Sequence, residues 1–299
     1  MAAAIRIGTA GWSYPHWNGI VYPQRPSAGF HPLEWIARHL DVVEINSSFY
    51  QPLRPELTRL WLKKTERHPD FQFTAKLHQQ FTHHREVNDA AVRTFKEGLW
   101  PLLRADKLGA LVMQFPWNFR FTQENHDFFL KLRRSFHEFP LVAEMRHDSW
   151  LAAEAQGVFM DYKVGFVNID QPAYTRATPP TAILTSPVGY VRLHGRNPQN
   201  SLGAYRPGAS RSRQHDYLYR LEELVEWADR VERISRFAER TLVVFNNDAG
   251  GKSFVNALQL QELMGCRRSP APAGLRRRYP VELENMGPRQ AQQWLFPAA

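Results

Sequence analysis

Short apolar runs that turn polar at their carboxyl ends recur along the chain, separated by longer segments with helical spacing. IRIGTAG (5–11), VVEINSSF (42–49), FQFTAKLH (71–78), ALVMQF (110–115), LVAEMR (141–146), GFVNID (165–170), YVRLHG (190–195) and LVVFNN (242–247) are the eight runs. Their length and their β-branched and aromatic content suit strands. Between them, Pro32 opens PLEWIARHL and Pro55 opens PELTRLWLKKTERH; proline suits a helix's first turn. Asn88 is placed to cap a helix ending near Lys107, and residues 124–137 predict another. Leu221, Leu224, Val225 and Ala228 share one helical face, and 253–264 reads as the last helix. The segment between the fifth and sixth runs is short, and the one between the sixth and seventh is only weakly helical.

Alternating β and α elements predict a parallel sheet with crossover helices. Eight such units in about 250 residues predict a TIM-like (β/α)8 barrel, a single α/β domain. The barrel domain is expected over 1–265, with 266–299 a basic C-terminal extension packed on it or trailing from it. An open doubly wound sheet is the rival fold. Its usual opening turn is G-x-G-x-x-G, which GTAGWS does not fit.

The run ends are also motifs. GTAGWSYPHWNGIVYP, VEINSSFY, FQFTAKLHQQFTH, LGALVMQFPWNF, AEMRHDSW, YVRLHGRN and VFNNDAGGKSFVNALQL, in this order from about residue 6 to residue 264, resemble the successive motifs of domain-of-unknown-function family 72, the YecE-like proteins. Ala10 and Ser48 stand where Ser and Thr would be expected. The resemblance implies a TIM-type barrel and assigns no activity. The Arg-rich segment 196–215 and the tail after Cys266 lie outside its strongest motifs.

Charge changes the picture at two places. Of the formal net +9, segment 196–215 supplies four Arg and no acid, and 267–299 supplies six Arg against Glu282 and Glu284. Elsewhere acids and bases nearly balance. Such patches admit nucleic acid as a partner through 196–215 and 267–299, or serve as a solubilising surface. Cys266 is the only cysteine, which excludes an internal disulfide and a cysteine metal cluster. No apolar stretch approaches the roughly 18 residues of a membrane span. MAAAIRIG lacks a basic-then-apolar signal pattern. No membrane association and a cytoplasmic location are the expectations.

In a barrel the carboxyl ends of the strands build the active site. Seven runs end there in polar residues: Glu44 and Asn46, Lys76 and His78, Gln114, Glu144 and Arg146, Asn168 and Asp170, Arg192 and His194, Asn246 and Asn247. Members spaced by two face the same side of a strand. Glu44 and Glu144 are the leading acid/base candidates, with His78 and His194 assisting. Lys76, Arg146 and Arg192 are placed to hold phosphate or carboxylate, with Gly250, Gly251, Lys252 and Ser253 adding backbone N–H groups at a helix start. Trp12, Tyr14, Asn46, Tyr50, Gln114, Asp170, Asn246 and Asn247 complete the expected substrate contacts.

No cofactor is predicted. A divalent metal among Glu44, Glu144, Asp170, His78 and His194 is the alternative, opposed by three nearby cations. The reading that results is an enzyme, a hydrolase or lyase, acting on a phosphorylated or otherwise anionic polar small molecule by carboxylate acid/base catalysis. A glycoside hydrolase is one alternative, since it too needs paired carboxyls. A non-catalytic nucleic-acid-binding protein using the Arg-rich loop and tail is the other.

Overall fold

The computed structural model describes residues 4–197, 216–266 and 269–284. Its strands are β1 (Ala4–Ala10), β2 (Val42–Ile45), β3 (Gln72–Lys76), β4 (Leu108–Gln114), β5 (Leu141–Glu144), β6 (Gly165–Asp170), β7 (Val188–Leu193) and β8 (Arg240–Phe245). They close into a barrel in sequence order. All pairings are parallel, and closure is made by β1 on β8, with Ala4 opposite Arg240 and Thr9 opposite Phe245. The expected TIM-like barrel is the fold.

Strand burial explains the apolar runs. Ala10, Val42, Ala110, Val112, Val142, Val167, Ile169, Val188, Tyr190, Leu242 and Val244 form one cluster inside the barrel. The alternate positions, among them Val43, Phe73, Leu111, Ala143, Val191 and Val243, join a second cluster with the surrounding helices. Both faces of a parallel strand are therefore apolar, as covered sheets require. Gly8 is demanded by close approach: a Cβ there would lie 1.7 Å from the Val42 carbonyl oxygen.

The helices start where the sequence signals them. Pro32 and Pro55 occupy first turns, and Asn88 accepts from Ala91 N–H at 2.9 Å to cap Asp89–Arg104. Helices Gln123–Ser135, Ala153–Asp161, Leu221–Ser235 and Lys252–Leu263 follow. Segment 171–187 contains no helix. It runs against β6, where Asn168 Oδ1 accepts from Ile183 N–H at 2.7 Å and Asn168 Nδ2 donates to Ile183 O at 2.9 Å. Several strands also stop earlier than their apolar-to-polar runs, so Asn46, Arg146, His194, Asn246 and Asn247 begin loops at the barrel mouth.

Beyond Cys266, helices Ala273–Arg278 and Pro280–Glu284 lie on the outer surface. Leu275 is fully buried, Tyr279 Oη donates to Gly250 O at 2.9 Å, and Gln259 Nε2 donates to Glu282 O at 3.2 Å. Among the described residues no helix is long and apolar enough to cross a membrane.

Candidate active site at the barrel mouth

The carboxyl ends of β2, β4, β5 and β7 meet around one guanidinium. Arg192, 1% exposed, donates from Nε to Glu44 Oε2 at 3.1 Å and from Nη2 to Glu44 Oε1 at 2.7 Å. Its Nη1 donates to Glu144 Oε2 at 2.8 Å and to Gln114 Oε1 at 3.0 Å. This fork geometry suits arginine and not lysine. Tyr190, two positions earlier on the same face of β7, donates to Glu44 Oε2 at 3.0 Å, and the Thr74 hydroxyl lies 3.0 Å from Tyr190 Oη.

The second oxygen of Glu144 is equally engaged. Arg146 Nε and Nη2 approach Glu144 Oε1 at 3.0 and 2.9 Å. His194 Nε2 lies 3.2 Å from the same oxygen, while its Nδ1 lies 3.1 Å from Asn246 Nδ2. With the Asn246 amide N–H donating, Nδ1 accepts and Nε2 carries the proton toward Glu144, so the 3.4 Å approach of Arg192 Nη1 to Nε2 is a contact and not a hydrogen bond. Burial pushes the His194 imidazole down to about 3 despite Glu144 beside it; the ring is neutral. Burial would raise the Glu144 carboxyl, but Arg192, His194 and Arg146 hold it well below the usual carboxylate range.

Lys76 is treated differently. Its backbone N–H donates to Ser48 Oγ at 3.1 Å, and the Ser48 hydroxyl lies 2.8 Å from Lys76 O. Ser48 belongs to the turn Ser47–Phe49 that follows β2, so this bond also sets Phe49 under the lysine. Lys76 Nζ stands 4.1 Å from the Phe49 ring centroid. Among the described residues Nζ makes no hydrogen bond and no ion pair. Burial, with Arg192 nearby, pushes its pKa down to about 7.

Other expected residues fall into three groups. Tyr14 joins the rim: its hydroxyl donates to Ala10 O at 2.5 Å and interacts with Asn46. Tyr50 is exposed beside Phe49, and Trp12 packs edge-on against Trp61 at 5.0 Å. His78 is turned into its own loop, where Nδ1 accepts from Gln80 N–H at 3.1 Å.

Asp170 and Asn247 are corrections. Val167 and Ile169 point into the barrel, so Asn168 and Asp170 face the helical layer. Asp170 is bound there by Arg196 Nε at 3.0 Å and by Trp227 Nε1 at 2.5 Å. Asn247 Nδ2 donates to Tyr217 O and Asn256 Oδ1 at 2.7 and 2.8 Å; its neighbour Asn246 takes the inward position.

The glycine turn is not assembled with the cations either. Gly250 and Gly251 have left-handed φ of 62° and 83°, and a Cβ on Gly251 would meet Val21 at 2.9 Å and Leu275 at 3.2 Å. Gly251 N–H donates to Asp248 O at 3.1 Å, Lys252 pairs with Asp216, and Ser253 is fully buried. The turn is packed as a structural joint.

Tyr190, Thr74 and Phe49 carry no sequence signal as strong as the charged residues beside them. Counting back two from Arg192 and from Lys76 finds the first two. Among the described residues no group of three or more His, Cys, Asp or Glu is arranged to hold a metal ion, and Asp170 stands apart from Glu44 and Glu144 for the reason just given. Of the basic segments, Arg196 is committed to Asp170 and Glu223; residues 198–215, 267, 268 and 285–299 lie outside the described residues.

A closed eight-stranded parallel barrel with a charged cluster at its carboxyl mouth defines the class: a TIM-barrel protein. Residues 6–278 match the family described as "Protein of unknown function DUF72", and the chain belongs to that family. It is 28% identical over 281 residues to UPF0759 protein YunF of Bacillus subtilis (strain 168), covering 87% of this chain and 94% of the relative. UPF0759 protein YecE of Escherichia coli (strain K12) is 31% identical over 117 residues, 38% of this chain and 39% of that protein. A DUF72 family crystal structure from Thermotoga maritima MSB8 superposes with a TM-score of 0.76 at 29% identity, over 88% of this chain and 99% of the other. One from Enterococcus faecalis V583 gives 0.76 at 25% identity, over 90% and 99%.

Proposed function

We propose that the barrel mouth is the active site of an enzyme, a hydrolase or lyase, acting on an anionic polar small molecule. The observation that carries this reading is the unequal pairing of the charges. Glu44 and Glu144 each accept hydrogen bonds through both oxygens, whereas Lys76 Nζ and Arg146 Nη1 bond to nothing among the described residues. Arg146 is half-buried, with one edge on Glu144 and the other open. An anion fits such unsatisfied donors.

The carboxylates then serve a different purpose from the one their sequence positions suggest. Glu144 stays ionised at neutral pH and orients Arg192 and Arg146; Lys76 is the group that exchanges a proton near neutrality. A general acid for glycoside hydrolysis needs a carboxyl raised toward neutrality, the opposite of the shift at Glu144.

Inorganic phosphate is the simplest probe. Calorimetric titration is expected to show binding that weakens about tenfold or more in Arg146→Met, the scale of one charge-assisted hydrogen bond. Sulfate, whose charge is constant over this range, should bind more weakly as pH rises through about 7, because Lys76 then loses its positive charge. An affinity indifferent both to Arg146 and to pH in that range would remove the anion site.

A further inference from the structure

Lys76 is a buried cation from which both neighbouring carboxylates have been withheld. Glu44 and Glu144 share the mouth with it, yet among the described residues every bond they make goes to Arg192, Arg146, His194 or Tyr190. The ammonium is left with the face of Phe49 at 4.1 Å. A lysine kept for structure gains most by pairing, because an unpaired charge away from water is costly. A lysine kept for its lone pair requires the reverse: an apolar seat, neighbouring cations and no acceptor to hold the proton. Lys76 has all three.

Resting on the anion-binding reading above, the geometry points to Lys76 as a nucleophilic amine that condenses with the aldehyde or ketone carbonyl of a substrate carrying an anionic group. Arg146 offers its open edge to that group, and the carbonyl carbon comes to Nζ above Phe49.

The step balances without an oxidant or reductant. The nitrogen lone pair forms the C–N bond while the carbonyl π electrons move to oxygen. That oxygen takes one proton from the nitrogen and one from solvent. The C–O bond then breaks, water leaves, and an iminium remains whose nitrogen keeps one hydrogen. While it keeps that hydrogen the iminium is a cation, and the field of Glu44 and Glu144 favours it as it favours the charged amine. Such an adduct withdraws electrons from the adjacent carbon, the activation a lyase needs.

Glycolaldehyde phosphate with sodium borohydride tests this on the whole wild-type protein, followed by peptide mapping. The expected result is one reduced adduct on the peptide holding Lys76. It should be suppressed by inorganic phosphate, and absent with neutral glycolaldehyde at the same concentration. Lys76→Met, checked for a native near-ultraviolet circular dichroism spectrum, should lose the adduct. Because the mapping is done on wild type, a poorly folding variant does not weaken it. If glycolaldehyde phosphate displaces phosphate but borohydride leaves Lys76 unmodified, the Schiff base is overturned and the anion site stands. Adducts spread over surface lysines, with Lys76 no more reactive than the rest, overturn it too. If neither phosphate nor glycolaldehyde phosphate binds, both readings fall.

Discussion

Replacing Arg192 by methionine is expected to destabilise the protein by about 3–5 kcal/mol, the usual cost of removing one partner from a buried ionic cluster. Two carboxylates, both fully buried, would lose their shared guanidinium. The loss should depend on pH in a definite direction. Without Arg192, the burial that raises the Glu144 carboxyl is opposed by His194 and Arg146 alone, and its folded-state pKa rises toward or above the unfolded value of about 4.3. A raised carboxyl costs stability in full above its folded pKa, and the cost vanishes below its unfolded one. The deficit of Arg192→Met against wild type should therefore shrink as pH falls toward about 4. Urea unfolding across this range measures it. A deficit that is small at neutral pH, or that grows on acidification, would mean that Arg192 does not hold the mouth together.

Lys76→Met should act in the opposite sense: a stability gain on the order of 3 kcal/mol at neutral pH, with loss of the chemistry. The sign follows from the depressed amine. Its folded pKa is about 7, against an unfolded value of about 10.4. Between these values the unfolded chain binds more protons than the native one, so wild-type stability rises with pH. Below about 7 the penalty is present in full; above roughly 10.4 it is gone. The variant's advantage should close across that window. The pair of variants separates two roles that the sequence leaves indistinguishable: one buried cation on which the fold depends, and one that the fold carries at a cost.

Much of this site is legible in the order of the residues alone. Alternation places Glu44, Glu144, Arg146, Arg192 and Lys76 at the strand ends, because β2, β3, β5 and β7 each lead into the mouth from an interior apolar residue or from Thr74. The same reasoning misplaces Asp170. In β6 both faces are buried, and nothing local says that Val167 and Ile169, and not Asn168 and Asp170, are the inward pair. The partners that explain Asp170, Arg196 and Trp227, are 26 and 57 residues away. Adjacent Asn246 and Asn247 could never both face inward, a conflict visible in the period of a strand. The glycines after β8 announce their left-handed backbone, but the packing of Val21 and Leu275 onto Gly251 is tertiary and has no local signature.

The state of Lys76 is the least accessible from sequence. As one of three cations at strand ends it reads as an anion clamp equivalent to Arg146 and Arg192. What distinguishes it is that Arg192 takes Glu44 and Glu144, which lie 148 and 48 residues away in the chain. Only the closed barrel brings those three together. The competition for two carboxylates then leaves lysine, a point charge with no fork, without a carboxylate partner among the described residues.

Titration of Lys76 itself is the decisive measurement. In protein carrying carbon-13-labelled lysine, the Lys76 side-chain resonance, assigned by its disappearance in Lys76→Met, is followed by NMR as pH is raised. An inflection at about 7 is expected, shifted upward when inorganic phosphate is bound. An inflection near the ordinary lysine value of about 10.4, unmoved by phosphate, would mean that Lys76 is a plain structural cation and that the barrel mouth is not built around its amine.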